Sequence, residues 1–406
     1  MKRRDFLAAT AILSFLASAP VEAAKKATAK TKPAKKTPAK PNAKTAAKKP
    51  VAAAVPEVVN EPEPQPETRN VISLPDEPAP QWRTYDIRST FALNGIKGKA
   101  RLWFPLAQYK DTPWARSLGH SWQGNFVSAG IYRDPVAEME VFFADWAEGV
   151  SDPQLQIVSQ VATQDRHFDI TRRGAMAERT EVLRRCLQST DLVSTDDIVR
   201  RTAERAISRI RDPLAQGKAI YEWVVENTSY DPLMKRVGNT NIGAMLESGN
   251  LFGRSADIAL LFVALCRSIG IPARPVFGLR IDGSRLFGSL GASGNLSEAQ
   301  QCRAEFYTPG YGWIPVNPAD VGKAIHDEKL SAGDPKLTVL KKLLFGFWEM
   351  NWIGFNAALD VSLRGSNGAP LPFLVYPAVE AADGRFDSLD ADHLNYNVTA
   401  SRSELY

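Results

Sequence analysis

The chain contains little cysteine and little histidine: three cysteines and four histidines among 406 residues. An odd number of cysteines does not make a disulfide scaffold, and Cys186, Cys266 and Cys302 lack the spacing of zinc ligands. We therefore expect no metal site and no cofactor. Cys266 and Cys302 fit buried structural thiols. No loop has the acidic spacing of a calcium site either.

Beyond the N-terminus the sequence has no apolar run long enough to span a membrane. The N-terminus itself begins with Arg3-Arg4 and Phe6-Leu7, continues with an apolar run of about fifteen residues, and reaches small residues at 21–23. This pattern resembles a twin-arginine export signal over residues 1–23, with a second cleavage option at residues 17–19. We expect an exported, periplasmic protein, which an uncleaved signal would tether at the inner membrane.

Acidic residues are missing from Lys25 to Lys49, a stretch that holds ten lysines. The formal charge of the whole chain is +5, so removing those ten charges leaves −5 for the remainder, which argues against nucleic acid as a partner. Residues 24–80 are rich in Lys, Ala and Pro and predict a disordered linker. It fits either a solvated spacer or a basic tether in peripheral contact with an anionic surface.

The first part of the folded region, residues 81–170, has short alternating segments between turn signals and predicts a small β-sandwich. Helical spacing follows at residues 198–210, and a second helix begins at Asp212-Pro213, with Asp212 as the cap. The predicted strands lie at residues 84–93, 99–104, 138–143 and 155–161.

A third helix is predicted from Ser255, with Gly270 and Pro272 past its end. Strands follow at residues 273–281, 302–308 and 313–317, the last two joined as a hairpin across residues 309–312. A helix packed on an antiparallel sheet makes this region an α+β domain.

Residues 253–274 resemble the nucleophile segment of transglutaminase-like domains, which belong to the papain-like cysteine protease superfamily. The resemblance covers roughly residues 81–406. It implies a papain-like transglutaminase core at residues 171–360, preceded by the sandwich and followed by a strand-rich tail, residues 361–406, packed on the core. Bacterial exported members of the family have this arrangement.

The same resemblance equates Ser255, Gln301 and Asn317 with the catalytic Cys, His and Asp of the family, so all three triad positions are replaced. A serine needs a general base, and an amide at Gln301 does not accept a proton near neutrality. Of the histidines, His326 is nearest to this region in sequence but fits a charged loop residue. His120, His167 and His393 do not lie on the strand that should face Ser255.

The replacements keep hydrogen-bonding groups, so we expect a polar cleft to persist. The candidates to line it are Asp257, Tyr307, Tyr311 and Trp313. Asp257 also fits a first-turn helix carboxylate, and the aromatic residues also fit cross-strand packing.

Three functions follow from this reading. The first is a non-catalytic pseudoenzyme whose cleft binds a peptide, a wall component or a protein partner. The second is a weak amidase, peptidase or acyltransferase that uses Ser255. The third is a structural or assembly protein with a vestigial cleft. The fold does not choose among them.

Overall fold

The computed structural model describes residues 81–403, except residues 108, 109, 136, 239 and 389. The predicted signal, its cleavage sites and the linker lie outside the described residues. Within the described ranges, no helix is both long and apolar enough to cross a membrane.

Two antiparallel sheets form a β-sandwich. The first has the strand order β17-β1-β6-β3, with β1 Arg83–Leu93, β3 Ala115–Gly124, β6 Gln154–Thr163 and β17 Leu394–Ser403. The second has the order β16-β15-β2-β5-β4, with β2 Ala100–Pro105, β4 Ser128–Asp134, β5 Met139–Trp146, β15 Ala378–Ala381 and β16 Gly384–Asp387.

Alternation along β1 buries every second side chain, and Phe91 contacts Phe104 of β2 and Tyr396 of β17, with ring centroids 5.1 and 5.2 Å apart. Such period-two burial is what places one face of a strand in a core. The predicted strands at residues 84–93, 99–104, 138–143 and 155–161 correspond to β1, β2, β5 and β6.

The C-terminal residues complete the sandwich. Strand β17 pairs with β1 from Leu394↔Leu93 to Ser403↔Thr84, and β15 pairs with β2. Residues 361–406 were expected to pack on the core as a tail, yet their strands are members of both sandwich sheets. This pairing joins segments about three hundred residues apart, which no local sequence pattern indicates.

The α+β fold class is confirmed in the second part of the chain. Its antiparallel sheet has the order β12-β11-β10-β14, formed by β10 Ala273–Arg280, β11 Gln300–Thr308, β12 Gly312–Val316 and β14 Trp352–Asn356. The helices are α1 Thr180–Arg185, α2 Asp197–Ile207, α3 Pro213–Asn227, α4 Ile242–Ser248, α5 Ser255–Ser268, α6 Pro318–Asp327 and α7 Pro335–Leu343.

Helix α5 is the centre of this part, since nearly all of its residues are buried. One side packs on β10 and β11, where Phe262 meets Phe306 edge to face, and other sides contact α2, α3 and α6. Asp212 caps α3 by accepting the N–H of Ala215 at 2.9 Å, with Pro213 first in the helix, as predicted.

Four very short strands complete the topology. Strand β7 Arg166–His167 pairs with β13 Phe347–Trp348, and β8 Ser229–Tyr230 pairs in parallel with β9 Phe252–Gly253. The second pair fixes the chain immediately before α5, which is where the predicted nucleophile position lies.

Candidate functional site

Ser255 is the first residue of α5 and is half-buried. Its Oγ accepts the backbone N–H of Cys302 on β11 at 3.1 Å. The partial positive charge at a helix N-terminus lies here, as expected for a nucleophile position. Among the described residues, no histidine or lysine forms a hydrogen bond with this hydroxyl.

The start of α5 is stabilised by Asp257, which is fully buried. Its carboxylate accepts the N–H of Arg254 at 2.9 Å and that of Thr240 at 2.7 Å. Gly238 has a φ of +89°, and a Cβ there would come within 1.8 Å of the Asp257 carboxylate. Asp257 is therefore a structural carboxylate beneath the helix N-terminus, and the structure does not place it in the cleft wall.

Gln301 and Asn317 are brought together by a residue that the sequence reading missed. Asp320, the third residue of α6, accepts the Nε2–H of Gln301 at 2.7 Å and the Nδ2–H of Asn317 at 2.6 Å. Gln301 Nε2 also lies 3.4 Å from Asn317 Oδ1. Because a carboxylate only accepts, these contacts fix the orientation of both amides.

Two arginines hold the same cluster. Arg280 donates to Asp320 and forms an ion pair with it, and Arg303 Nε donates to Gln301 Oε1 at 3.2 Å. Gln301, Arg303, Asn317 and Asp320 are all at most 3% exposed. The amides that occupy the predicted histidine and aspartate positions thus each have partners for the oxygen and for at least one N–H.

The charges of this cluster are stable near neutrality. Burial alone would raise the pKa of Asp320, but Arg280 and Arg303 outweigh it and hold that pKa below its usual value. Burial lowers the pKa of Arg303 to about 9, which still leaves it charged at pH 7. Asp320 and Arg303 are therefore both charged at pH 7.

A cleft of about 280 Å³ opens in front of Ser255 and Gln301. Four basic side chains line it: Arg236, Arg254, Arg280 and Lys323. Two acidic side chains, Asp320 and Glu298, and the ring of Tyr230 line it as well. Asn317 lies behind Gln301 and does not reach the cleft. This excess of basic groups attracts negative charge to the cleft.

The predicted aromatic residues lie elsewhere. Tyr307 and Trp313 form a cross-strand pair with ring centroids 5.6 Å apart, and the Trp313 N–H donates to Glu178 at 3.0 Å. Tyr311 accepts a hydrogen bond from Arg173 at 2.9 Å. Tyr307 is six residues beyond Gln301 on β11, about 20 Å along an extended strand. None of the three is among the residues that line the Ser255 cleft.

The four histidines contact groups other than Ser255. His326 pairs with Asp327 at 2.7 Å and lies against Tyr230, and His393 pairs with Asp390. His120 and His167 lie on β3 and β7. In the described part of the chain, none of them lines the cleft.

One sequence pattern indicates the position of Asp320. Asn317 is the N-cap of α6 and Asp320 follows three residues later, which is the spacing of a capping box. No such pattern indicates Arg280, which lies forty residues before Asp320. The three cysteines are free and buried, and burial raises the pKa of Cys266 and Cys302 well above the usual value.

Comparisons with known proteins agree with this geometry. Residues 200–318 match the model of the transglutaminase-like superfamily. The chain belongs to this superfamily. It is 31% identical over 340 residues to an uncharacterized protein of Haemophilus influenzae. The alignment covers 78% of this chain and 91% of that protein.

Among solved structures, the chain is similar to a candidate cysteine protease from Cytophaga hutchinsonii. The TM-score is 0.51 at 15% identity, covering 80% of this chain and 92% of the other. The periplasmic domain of TgpA from Pseudomonas aeruginosa gives a TM-score of 0.31 at 14% identity, over 58% and 94% of the two chains. The first likeness supports the cysteine-protease-like fold of this transglutaminase-like protein.

Proposed function

We propose that this transglutaminase-like protein is a non-catalytic binding protein, a pseudoenzyme whose cleft binds a peptide, a peptide of the cell wall or a segment of a protein partner. The observation that carries the proposal is the locked pair of amides at Gln301 and Asn317. Asp320 accepts one N–H from each amide. The amide oxygens, which could orient a base, are engaged by Arg303 and by the Gln301 amide.

Catalysis would require activation of Ser255. A serine hydroxyl at neutral pH becomes a nucleophile only when a base takes its proton. The position expected to supply that base holds Gln301, an amide. The hydrogen bond from Cys302 N–H positions the Ser255 oxygen but removes no proton.

The charge of the cleft supports the ligand class. Arg254 has no ion pair among the described residues: its guanidinium lies over Tyr230 at 4.9 Å and reaches the Pro232 carbonyl at 3.5 Å. It is therefore available to a carboxylate. The open volume in front of Ser255 favours binding over a vestigial cleft, which side chains would fill.

One observation favours a second candidate, a serine amidase. Lys323 lines the same cleft as Ser255, and a neutral lysine can serve as a general base. Against this, Lys323 forms an ion pair with Asp327 and lies over Tyr230 at 5.3 Å. Both contacts engage the Lys323 ammonium group with partners other than Ser255.

Peptide binding by the full chain tests the proposal. We expect the capped peptide Ac-Ala-Glu-Ala-NH2 to bind in calorimetry more tightly than its Gln counterpart. Arg254→Gln should weaken the Glu peptide about tenfold, whereas Ser255→Ala should leave its affinity unchanged. Mass spectrometry should find both peptides intact. Cleavage that disappears in Ser255→Ala would establish the amidase instead, and equal binding of the two peptides would refute carboxylate recognition.

Export is part of the proposal and rests on the N-terminal sequence. The double change Arg3→Lys and Arg4→Lys should retain the protein in the cytoplasm, as seen by fractionation and immunoblotting, because a twin-arginine signal requires both arginines. A control with Lys2→Arg should be exported normally. Unchanged export of the double variant would contradict this signal type.

A further inference from the structure

A second cavity lies beside the Ser255 cleft. It has a volume of about 460 Å³, and its apolar wall is built mainly by residues 371–378 and by Phe386. Arg236 lines both this cavity and the Ser255 cleft. The two spaces therefore meet at one side chain.

Arg236 is held rigidly at that border. It forms an ion pair with Asp387, its guanidinium lies over the Tyr376 ring at 4.4 Å, and its backbone has a φ of +65°. Its Nε is buried and has no partner among the described residues. A buried donor without an acceptor costs stability.

The cleft side has a matching unfilled acceptor. Gln300 is 7% exposed and lines the cleft, and its Oε1 also lacks a partner in the described part of the chain. An unfilled donor and an unfilled acceptor near the junction suit the C=O and N–H of a peptide bond. A simple inorganic anion would match only the donor, because it has no N–H to offer Gln300 Oε1.

The second cavity differs from the cleft in chemistry. Phe373 and Phe386 are partly exposed and form part of its apolar wall. Phe373 is backed by Phe277, with stacked rings 4.5 Å apart. A preformed aromatic wall of this kind gains most from an apolar or aromatic side chain.

We propose that the two cavities form one peptide groove, with a carboxylate side chain held in the Ser255 cleft and a neighbouring apolar or aromatic side chain in the cavity walled by Phe373 and Phe386. This inference rests on the proposed function and narrows its ligand to peptides that carry both groups. Arg236 separates the two subsites and faces the backbone between them.

Symmetric capped peptides test the groove whichever way the chain runs through it. The probe is Ac-Phe-Ala-Glu-Ala-Phe-NH2, compared with Ac-Ser-Ala-Glu-Ala-Ser-NH2 and with Ac-Phe-Ala-Gln-Ala-Phe-NH2. A shorter set, Ac-Phe-Glu-Phe-NH2 and its Ser and Gln counterparts, covers a closer spacing. Affinities are measured by calorimetry with the full chain.

We expect the better-spaced Phe-Glu peptide to bind about tenfold tighter than its Ser counterpart, because one aromatic side chain is removed from water. Phe386→Ala should abolish that difference. Leu118→Ala, which shortens a partly exposed apolar side chain on β3, is the matched control and should preserve it. Arg254→Gln should weaken the Phe and Ser peptides by the same factor.

The outcomes separate the two proposals. One outcome is that the Phe and Ser peptides bind equally tightly in both spacings while binding still depends on Glu and on Arg254. This outcome overturns the groove and leaves the proposed function standing. No Glu-dependent binding of any peptide overturns both. If Phe386→Ala does not fold, amide shifts decide: the Phe peptide but not the Ser peptide should shift Gly238 and Ala378, which line the second cavity.

Discussion

Two buried carboxylate clusters lie along strand β11, and they differ in one respect. Near its start, Asp320 of α6 is held by Arg280 and by the Gln301 amide; near its end, Glu305 is held by Arg166 and Arg274. Residues 301, 303 and 305 share one face of the strand because side chains alternate. The same electrostatic arrangement therefore occurs twice within five residues.

The difference lies in what surrounds the cations. Arg166 lies over Trp114 at 3.9 Å and over Trp348 at 4.7 Å, and Arg274 lies over Trp313 at 4.0 Å. The Glu305 cluster is sealed by these rings on the side of Arg166, while Arg274 is partly exposed in a separate cavity; Arg280 and Asp320 line the open Ser255 cleft. We infer that the sealed cluster stabilises the fold and that the open one shapes a binding surface.

The largest expected effect is at the sealed cluster. Glu305→Gln leaves the buried Arg166 without its counter-charge, while Arg274 keeps its ion pair with Glu138, and should lower the free energy of unfolding by about 3–5 kcal/mol. Urea unfolding at pH 7 measures it. Glu204→Gln is the control, because its ion pair with Arg200 on α2 is exposed and should be worth little. A loss below about 1 kcal/mol for Glu305→Gln would show that the cluster is not structural.

The pH dependence of the same cluster gives the next effect. Burial alone would raise the pKa of Glu305, but Arg166 and Arg274 lower it from 4.5 to about 2. A depressed carboxylate pKa contributes stability that is complete above the unfolded pKa and is lost as pH falls through the folded one. The stability difference between wild type and Glu305→Gln should therefore shrink between pH 4.5 and about 2. A difference that stays constant over this range would contradict the assignment.

A smaller loss is expected at the open cluster. Asp320→Asn removes the charge opposite Arg280 and should cost about 2 kcal/mol in urea unfolding. Arg280 also donates to the Leu290 carbonyl, and water can enter from the cleft, so the remaining charge is better solvated than at Glu305. The same variant should alter peptide affinity, which Glu305→Gln should not. If Asp320→Asn and Glu305→Gln changed peptide affinity equally, the two clusters would not differ in their role in ligand binding.

Asp320 also changes how catalysis could be introduced. In the variant Ser255→Cys with Gln301→His, Asp320 is already placed to orient the new imidazole, so the thiol should react with iodoacetamide faster at pH 7 than in Ser255→Cys alone. The native cysteines are buried and give little background. Adding Asn317→Asp should be harmful, because it sets a carboxylate where the Asn317 amide now lies 2.6 Å from Asp320. A thiol no faster than in the single variant would show that positions 255 and 301 do not face each other productively.

The smallest effect is expected for Ser255→Ala. It removes one half-buried hydrogen bond to Cys302 N–H, and the unfolding free energy should fall by about 1 kcal/mol or less. Urea unfolding and peptide calorimetry measure both consequences. A large loss of affinity would mean that the hydroxyl contacts the ligand directly.

Local signals in the sequence predicted the parts of the fold that local contacts build. The start of α5 at Ser255, the cap of α3 at Asp212 and the hairpin around residues 309–312 each depend on residues within a few positions. The family resemblance added the common location of Ser255, Gln301 and Asn317. Their exact replacement of a triad stays a prediction that the proposed experiments address.

The features that the sequence did not predict depend on contacts between segments or loops that no local pattern indicates. The pairing of β17 with β1 and the ion pair between Arg280 and Asp320 join distant segments. The choice of Tyr307, Tyr311 and Trp313 as cleft residues overlooked strand length, which carries them away from Gln301. Asp257 was placed in the correct turn, but its orientation depends on Gly238 and Thr240 in the preceding loop.

The position of β1 between β6 and β17 has a mechanical consequence. Both neighbours run antiparallel to it over about the whole length of the strand, so a pull applied at Arg83 loads two hydrogen-bonded ladders in shear at once. Strand β17 also holds the loop beside the cleft, because the Val398 carbonyl accepts the N–H of Leu296 at 2.7 Å. Tension at the beginning of the folded region would thus be borne by the sandwich before it reaches the binding cleft.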